Sequence, residues 1–97
     1  MKALAEIQVI PLGSGVSVRR EVTQAYEIIK SAGLKVHLHD YGTNVEGELG
    51  AILSAVQRIH EALHEQGAKR LITLLKLGTR QDKEPHLEAA TRAVVGA

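Results

Sequence analysis

The sequence predicts an α+β domain of the ferredoxin-like kind, with an antiparallel sheet built in the order β-α-β-β-α-β, helices on one face and an extra C-terminal helix. Three observations predict this fold. Apolar residues recur with period two in some segments and with helical spacing in others, the two kinds of segment follow one another in that order, and glycine or proline ends most of them. With 97 residues and no linker or low-complexity tract, residues 1–97 are predicted to form a single domain.

The N-terminal part of the chain is predicted to form a strand and then a helix. Residues 3–12 are rich in isoleucine and valine and end near Pro11, which is typical of a strand. Residues 17–32 place apolar side chains at helical spacing. Ser17 is a candidate N-cap of this helix and Gly33 a candidate C′ residue, so both helix ends carry the expected signals.

The middle of the chain is predicted to form a strand pair and a second helix. Residues 34–38 alternate apolar and polar side chains, which predicts a strand with one apolar face. A turn leads to a short strand near residues 43–48. Residues 49–66 then carry one apolar helical stripe, and Gly67 ends that helix.

The C-terminal part is predicted to complete the sheet and to add a short helix. Residues 69–77 form the last predicted strand, and Pro85 is suited to the first turn of the helix that follows. Between them, Arg80, Asp82 and Lys83 are interpreted as an ion-pair network and helix cap, with a ligand site as the alternative.

The helices are predicted to cover one face of the sheet and to leave the other face open. On the first strand Ala5, Ile7 and Val9 should meet the helices. The open face should mix polar, histidine and aliphatic side chains: Leu4, Glu6, Gln8, Ile10, His37, His39, Ile72 and Leu74. Because such a face is too apolar to be fully wet, we expect the chain to form a homodimer or, more readily, a homotetramer through it.

Composition argues against several classes of function. The net charge is only +1 and the sequence has no basic stripe. Tyr26 and Tyr41 are its only aromatic residues among Phe, Tyr and Trp, so few rings could stack on bases. These observations argue against nucleic-acid binding. The absence of cysteine excludes disulfides and thiolate sites and fits a reducing compartment. No apolar run approaches the roughly 20 residues of a membrane span, and the start of the sequence does not resemble a signal peptide, so we expect a cytoplasmic protein.

Histidines occur in two patterns that could bind metal. His60, Glu61 and His64 match H-E-x-x-H on the second predicted helix, but His60 falls near the centre of the stripe that packs on the sheet. We therefore expect a partly buried His60, with Glu61 and His64 in solvent and no metal or other cofactor. His37 and His39 lie two apart on a strand, and we interpret them as interface or surface histidines rather than metal ligands.

Loops at strand ends carry further candidate binding groups, as is usual in small rigid domains. Gly13 and Ser14 stand shortly before a helix N-terminus, where free N–H groups can hold an anion or polar ligand; a simple strand-to-helix turn is the alternative. Gly42, Thr43 and Glu46 lie on or beside a short strand. The Glu46 carboxylate could accept hydrogen bonds from a ligand or offset a positive charge, and a solvated surface glutamate is the alternative.

Glu6 interrupts an otherwise apolar strand. A carboxylate in such a position persists when it is paired or hydrogen-bonded. We expect Glu6 either to pair with Lys76 on the last strand or to face a ligand across a subunit interface.

These features resemble the YkoF-like thiamine-binding family. The resemblance rests on five motifs: Ala5-Glu6-Ile7-Gln8-Val9-Ile10-Pro11-Leu12-Gly13, Gly42-Thr43, Glu46-Gly47-Glu48, His60-Glu61-Ala62 and Asp82-Lys83. The resemblance implies ferredoxin-like domains that pair through their sheets, often as tetramers, and that hold the pyrimidine part of thiamine without catalysis. The matching positions are the loop 11–14, Gly42, Thr43, Glu46, Gly47, Lys76, Arg80, Asp82 and Lys83.

Two departures from the family pattern lie next to the proposed site. Asp40 and Tyr41 stand where the family usually has an apolar Pro-Met-like pair, and Gln81 replaces a second arginine. Tyr41 supplies a ring that could stack on a ligand.

The sequence thus predicts non-enzymatic binding of thiamine or its hydroxymethylpyrimidine moiety near a subunit interface. Two alternatives stay open. The chain could be a structural or regulatory oligomer that binds a partner protein, or a small enzyme with Glu6 or His39 as general base in an intersubunit pocket.

Overall fold

The computed structural model describes residues 1–13, 15 and 18–96, and it has the predicted ferredoxin-like order. The elements are β1 (Lys2–Leu12), α1 (Arg19–Ser31), β2 (Lys35–His39), β3 (Gly42–Glu48), α2 (Leu49–Glu65), β4 (Arg70–Gly78) and α3 (Ala89–Val95). The four strands form one antiparallel sheet in the order β2-β3-β1-β4. The predicted fold class is therefore confirmed.

The core lies between the sheet and the first two helices. Alternation along β1 turns Ala3, Ala5 and Ile7 to the helices, and all three are buried. They are joined there by a set of buried apolar side chains from both helices and from β3: Ala25, Ile29, Val45, Ile52, Ala55, Ile59 and Leu63. Val9, the third residue predicted to face the helices, is partly buried against this core, so the predicted inward face of the first strand is confirmed.

The two long helices, α1 and α2, end next to the glycines that were predicted to end them. Gly33 and Gly67 follow the C-cap residues with φ of 76° and 110°, in the left-handed region that glycine adopts without steric cost. Ser17, the candidate N-cap of α1, lies outside the described residues. Along the part of the chain that the structure describes, no helix combines the length and apolar character that a membrane crossing requires.

The C-terminal segment differs from its prediction. Pro85 does not stand in the first turn of α3, because that helix begins only at Ala89. Glu88 has φ 68°, a left-handed conformation that an α-helix cannot continue through, so the helix starts after it. Residues 84–88, called here the cover segment, lie on the sheet instead, with Pro85 buried and the Leu87 N–H bonded to Glu46 on β3. The open face of the sheet is therefore partly covered.

Strand β1 is longer than β3, its neighbour in the hairpin formed by β2 and β3. Its register with β3 runs from Lys2 to Ile7, whereas its register with β4 runs from Leu4 to Leu12. Beyond Ile7, β1 therefore has a strand partner only on its β4 side. This mismatch leaves a notch between the end of β1, the β2–β3 turn and α1.

Gly42 allows the hairpin to approach β1 closely. A methyl group at this position would lie 2.8 Å from the carbonyl oxygen of Ile7, so one of the two strands would have to move. We expect Gly42→Ala to lower the free energy of unfolding by about 1–3 kcal/mol. Gly50→Ala on α2 is the matched control, because a methyl group there meets nothing within 4 Å and alanine favours the helix by up to about 1 kcal/mol. Urea unfolding followed by circular dichroism measures both, and equal stability of Gly42→Ala and the parent would contradict the close approach.

Candidate functional site

The notch beside β1 forms a cavity of about 290 Å³, called here the hairpin cavity. Helix α1 supplies one wall with Val22 and Tyr26, and β1 supplies another with Val9 and Pro11. The β2–β3 turn closes the remaining side with residues 38–43. Most of these side chains are apolar, as in typical small-molecule sites.

Both tyrosines of the chain line the hairpin cavity, although they are 15 positions apart in the sequence. Tyr26 is half-buried on α1, and Tyr41 is 78% exposed at the mouth. Thr43, the only buried polar side chain of the described residues, and the exposed Asp40 add polar groups to the lining. The cavity thus offers two flat rings, a hydroxyl and a carboxylate to one ligand.

The backbone of β1 adds hydrogen-bonding groups to this lining. Successive residues of a strand point their N–H and C=O groups to opposite edges, and the Leu49 N–H donates to the Met1 carbonyl on the β3 side. Odd-numbered residues of β1 therefore point to β3. Val9 is the first of them for which the register of the described residues gives no partner on the β3 side, so its N–H and C=O point to the side where the hairpin cavity lies.

His39 connects the hairpin cavity with the open face of the sheet. It lines the cavity, and its Nε2 lies 3.0 Å from Asn44 Oδ1 and 3.2 Å from Glu6 Oε2. The Tyr41 N–H donates to its Nδ1 over 3.3 Å. The pairing of Glu6 with Lys76 is therefore wrong: Lys76 is opposite Glu6 in the register, but the carboxylate contacts His39. His39 is paired with Gly42 in the register, so its ring extends across β3 to reach Glu6 on β1.

Glu46 holds the cover segment on the open face. Its Oε1 accepts the Leu87 N–H over 2.7 Å, and its Oε2 lies 3.1 Å from Lys2 Nζ, while only 11% of the side chain is exposed. The hydrogen bond from the Leu87 N–H lowers the pKa of the Glu46 carboxyl below its ordinary value, and the contact with Lys2 lowers it further. Partial burial opposes this shift but does not cancel it. Thr43 points to the opposite face, since residues three apart on a strand face opposite ways. The structure thus separates Thr43 from Glu46.

The other predicted site residues that the structure describes lie apart from the hairpin cavity. Glu6 and Lys76 line a second, shallower cavity of about 380 Å³ beneath Leu87 and Glu88. Gly13 is exposed at the end of β1, and Ser14 lies outside the described residues. Among the described residues, the predicted binding residues therefore do not form one cluster, and only Tyr41, Gly42 and Thr43 share the hairpin cavity.

The loop after β4 contains the ion pair expected there. Arg80 Nε donates to Asp82 Oδ1 over 2.7 Å, and Arg80 Nη2 donates to Oδ2. This hydrogen-bonded guanidinium lowers the pKa of Asp82 to about 2. Both side chains are exposed and line neither of the two cavities described above, which favours the interpretation as a structural ion pair. The expected helix cap is wrong, because α3 begins at Ala89 and its N-cap residue is Glu88.

The H-E-x-x-H residues have structural partners. The part-buried His60 Nε2 lies 2.6 Å from Thr73 Oγ1 on β4, and His64 Nδ1 lies 2.7 Å from the Ala68 carbonyl after the helix end. Glu61 is exposed, as expected. Within residues 1–13, 15 and 18–96, no group of three or more histidine or acidic side chains is placed to hold a metal ion.

Sequence reasoning missed three members of the hairpin cavity. Tyr26 was available as the second of only two tyrosines, and it follows Val22 at the helical spacing of one face. Asp40 was noted only as a departure from a family pattern. The exposed edge of Val9 carries no signal in the sequence, because it depends on where the neighbouring hairpin ends.

Comparison with known proteins finds relatives over nearly the whole chain. The family model described as thiamine-binding protein matches residues 5–95. A UPF0045 protein from Synechocystis sp. is 37% identical over 94 residues, which are 97% of this chain and 78% of the relative. The crystal structure of a hypothetical protein from Methanocaldococcus jannaschii has a TM-score of 0.87 at 37% identity and covers 98% of this chain and 96% of that chain. A Thermotoga maritima protein with a proposed role in thiamine biosynthesis or salvage has a TM-score of 0.83 at 26% identity, covering 97% and 99%.

The contact between Glu46 and Leu87 predicts how the cover segment responds to mutation and to pH. Glu46→Ala removes the acceptor of a charge-assisted hydrogen bond worth about 1.5–3 kcal/mol, so the Leu87 amide should exchange with solvent about ten- to a hundredfold faster. Because the folded pKa of Glu46 is lowered, its contribution is complete above the ordinary glutamate value of about 4.3 and is lost as pH falls through the folded pKa.

Hydrogen exchange of the Leu87 amide, resolved by NMR, measures both effects. Glu48→Ala is the matched control, since Glu48 is an exposed residue of the same strand whose partner is the N-terminal amino group. Unchanged Leu87 exchange in Glu46→Ala would contradict the anchoring role.

Proposed function

Because this chain belongs to the thiamine-binding protein family, we propose that it is a cytoplasmic protein that binds thiamine or its hydroxymethylpyrimidine moiety in the hairpin cavity, without catalysing a reaction on it. The resemblance read from the sequence motifs is confirmed at the level of the family. The observation that carries the proposal is the meeting of both tyrosines, Tyr26 and Tyr41, in one mostly apolar cavity.

The cavity matches the two parts of this ligand in different ways. An aminopyrimidine is flat and carries adjacent hydrogen-bond donors and acceptors, so it can lie beside Tyr26 while bonding to the Val9 backbone and the Thr43 hydroxyl. A volume of about 290 Å³ is near the lower limit of ligand pockets, which favours burial of the pyrimidine alone. The thiazolium cation would then remain at the mouth, next to the ring of Tyr41 and the carboxylate of Asp40.

This arrangement gives Asp40 the role that the sequence suggested for Glu46. The Glu46 carboxylate is already bonded to Leu87 and Lys2 on the open face. Asp40 lines the hairpin cavity and is exposed to solvent, where it can approach a cation without breaking an existing anchor. The two carboxylates therefore offer a direct test of the location of the ligand.

We expect Asp40→Asn to weaken thiamine binding about ten- to a hundredfold, the effect of losing a charge-assisted contact of about 1.5–3 kcal/mol. Glu46→Gln should bind thiamine as the parent does. Isothermal titration calorimetry on the three proteins measures this difference. Weakening by Glu46→Gln alone would place the ligand on the open face, and absence of binding to the parent would reject thiamine as the ligand.

We further propose that the chain associates with a second copy through the part of the open face that the cover segment leaves bare. Ile72 and Leu74 on β4 are 44% and 54% exposed there, and they stand opposite Ile10 and Gln8 of β1 in the register. A sheet face of this kind on a small domain gains hydrophobic free energy when it pairs with its equivalent on another subunit.

Leu74→Asp should therefore yield a monomer, since pairing would bury the carboxylate without a partner. Leu53→Asp is the matched control, because Leu53 is 47% exposed on α2, away from the open face. Mass measurement by light scattering at micromolar concentration compares the two variants with the parent. A monomeric parent would overturn the proposal, as would loss of assembly in Leu53→Asp alone.

A further inference from the structure

His39 holds the turn that carries Tyr41. The Tyr41 N–H donates to Nδ1 of His39, and this bond ties the turn back onto the end of β2. Tyr41 itself is 78% exposed, so few packing contacts fix its position. The bond to the His39 ring therefore adds to the strand pairing of His39 with Gly42 in holding the turn that presents Tyr41 at the mouth of the hairpin cavity.

The partners of the ring define its protonation state. A ring nitrogen that accepts an N–H bond carries no proton, so the proton of the neutral ring is on Nε2. Nε2 has two acceptors to donate to, the Asn44 amide oxygen at 3.0 Å and the Glu6 carboxylate at 3.2 Å. All three contacts are satisfied together only by the neutral ring with its proton on Nε2.

Protonation changes one of these contacts and preserves the others. A doubly protonated ring still donates from Nε2 to Asn44 and Glu6, and its attraction to Glu6 becomes an ion pair. Nδ1 then carries a hydrogen that faces the Tyr41 N–H, so two donors oppose each other. Histidine is the side chain that undergoes this change between pH 5 and 8.

We propose that His39 is a pH-sensitive positioning residue, which keeps Tyr41 at the mouth of the hairpin cavity when it is neutral and releases the turn when it is protonated. The expected consequence is weaker binding of a flat cationic heteroaromatic ligand at acid pH, and this consequence rests on the proposed function. The positioning itself concerns the ligand-free protein.

Several charged and titratable side chains lie near His39, and one of them provides a control variant. The Glu6 carboxylate on β1 contacts the ring, Asp40 is the next residue in the turn and lines the same cavity, and Lys76 on β4 is opposite Glu6 in the register. His37, on the same strand, contacts Glu88 of the cover segment over 3.4 Å. His37 is a histidine of the same strand that contacts the cover segment and not the turn, so it provides the matched variant.

The first experiment uses the ligand-free protein. NMR of the imidazole nitrogens should give the Nε2–H form of His39 at pH 8, and the Tyr41 amide signal should move with the titration of His39. In His39→Asn, the amide oxygen occupies the position of Nδ1 and still accepts from Tyr41, so the amide signal should not respond to pH. His39→Gln reaches the Nε2 position instead and should lose the protection of the Tyr41 amide from exchange at every pH.

The second experiment measures thiamine affinity by calorimetry at pH 8 and pH 5.5. The parent and His37→Asn should bind roughly three- to tenfold more weakly at the lower pH, the effect of one net hydrogen bond. In His39→Asn the affinities at the two pH values should agree within about twofold. A pH dependence of affinity in His39→Asn as large as in the parent would overturn the control of affinity by His39.

The outcomes separate this inference from the proposed function. If the Tyr41 amide signal does not change with the protonation of His39, the positioning role is overturned, whatever the ligand. If that signal does change but the parent binds thiamine equally at both pH values, the control of affinity is overturned. If the parent binds no thiamine, the proposed function fails and with it the control of affinity, while the Tyr41 amide still decides the positioning role.

Discussion

Strand β1 pairs along both of its edges, and the unequal extent of these two pairings underlies the rest of the structure. β4 accompanies β1 as far as Leu12, while β3 accompanies it only as far as Ile7. The paired part, from Leu4 to Ile7, is the centre of the sheet and carries the buried side chains on which both helices pack. The part paired on one side exposes a backbone edge and admits a cavity between strand and helix. The same strand is thus both the core of the fold and one wall of the candidate site.

The polar groups of the molecule are divided between the two faces of the sheet. On the helix side, the hairpin cavity combines apolar walls with Tyr26, Thr43 and the Val9 backbone. On the open side, charged residues bind one another, and Glu46 holds the cover segment through Leu87 and Lys2. His39 contacts both regions, since it lines the cavity and bonds to Glu6. The groups that line the candidate site are thereby kept apart from the ion pairs that hold the C-terminal segment.

Much of the fold could be predicted from the sequence, because local signals agree with the final structure. The alternation along β1, the apolar stripe of α2 and the glycines after both long helices were each sufficient to place an element within a residue or two. The short C-terminal helix was the exception. Pro85 is compatible with a first helical turn, but the anchoring of Leu87 on Glu46 and the left-handed Glu88 delay the helix to Ala89.

The candidate site could be predicted only in part, since its members are brought together by contacts distant in the sequence. The sequence by itself determined the order of the elements, the side chains that face the core, and the placement of Gly42 and Thr43 beside a turn, because these follow from short-range periodicity and turn chemistry. Tertiary structure alone decided that Tyr26 and Tyr41 line one cavity, that Glu46 bonds to Leu87, and that Glu6 contacts His39 rather than Lys76. The physical reason is strand register: the relative lengths of paired strands and the space left by Gly42 set which side chains meet, and no local pattern encodes them.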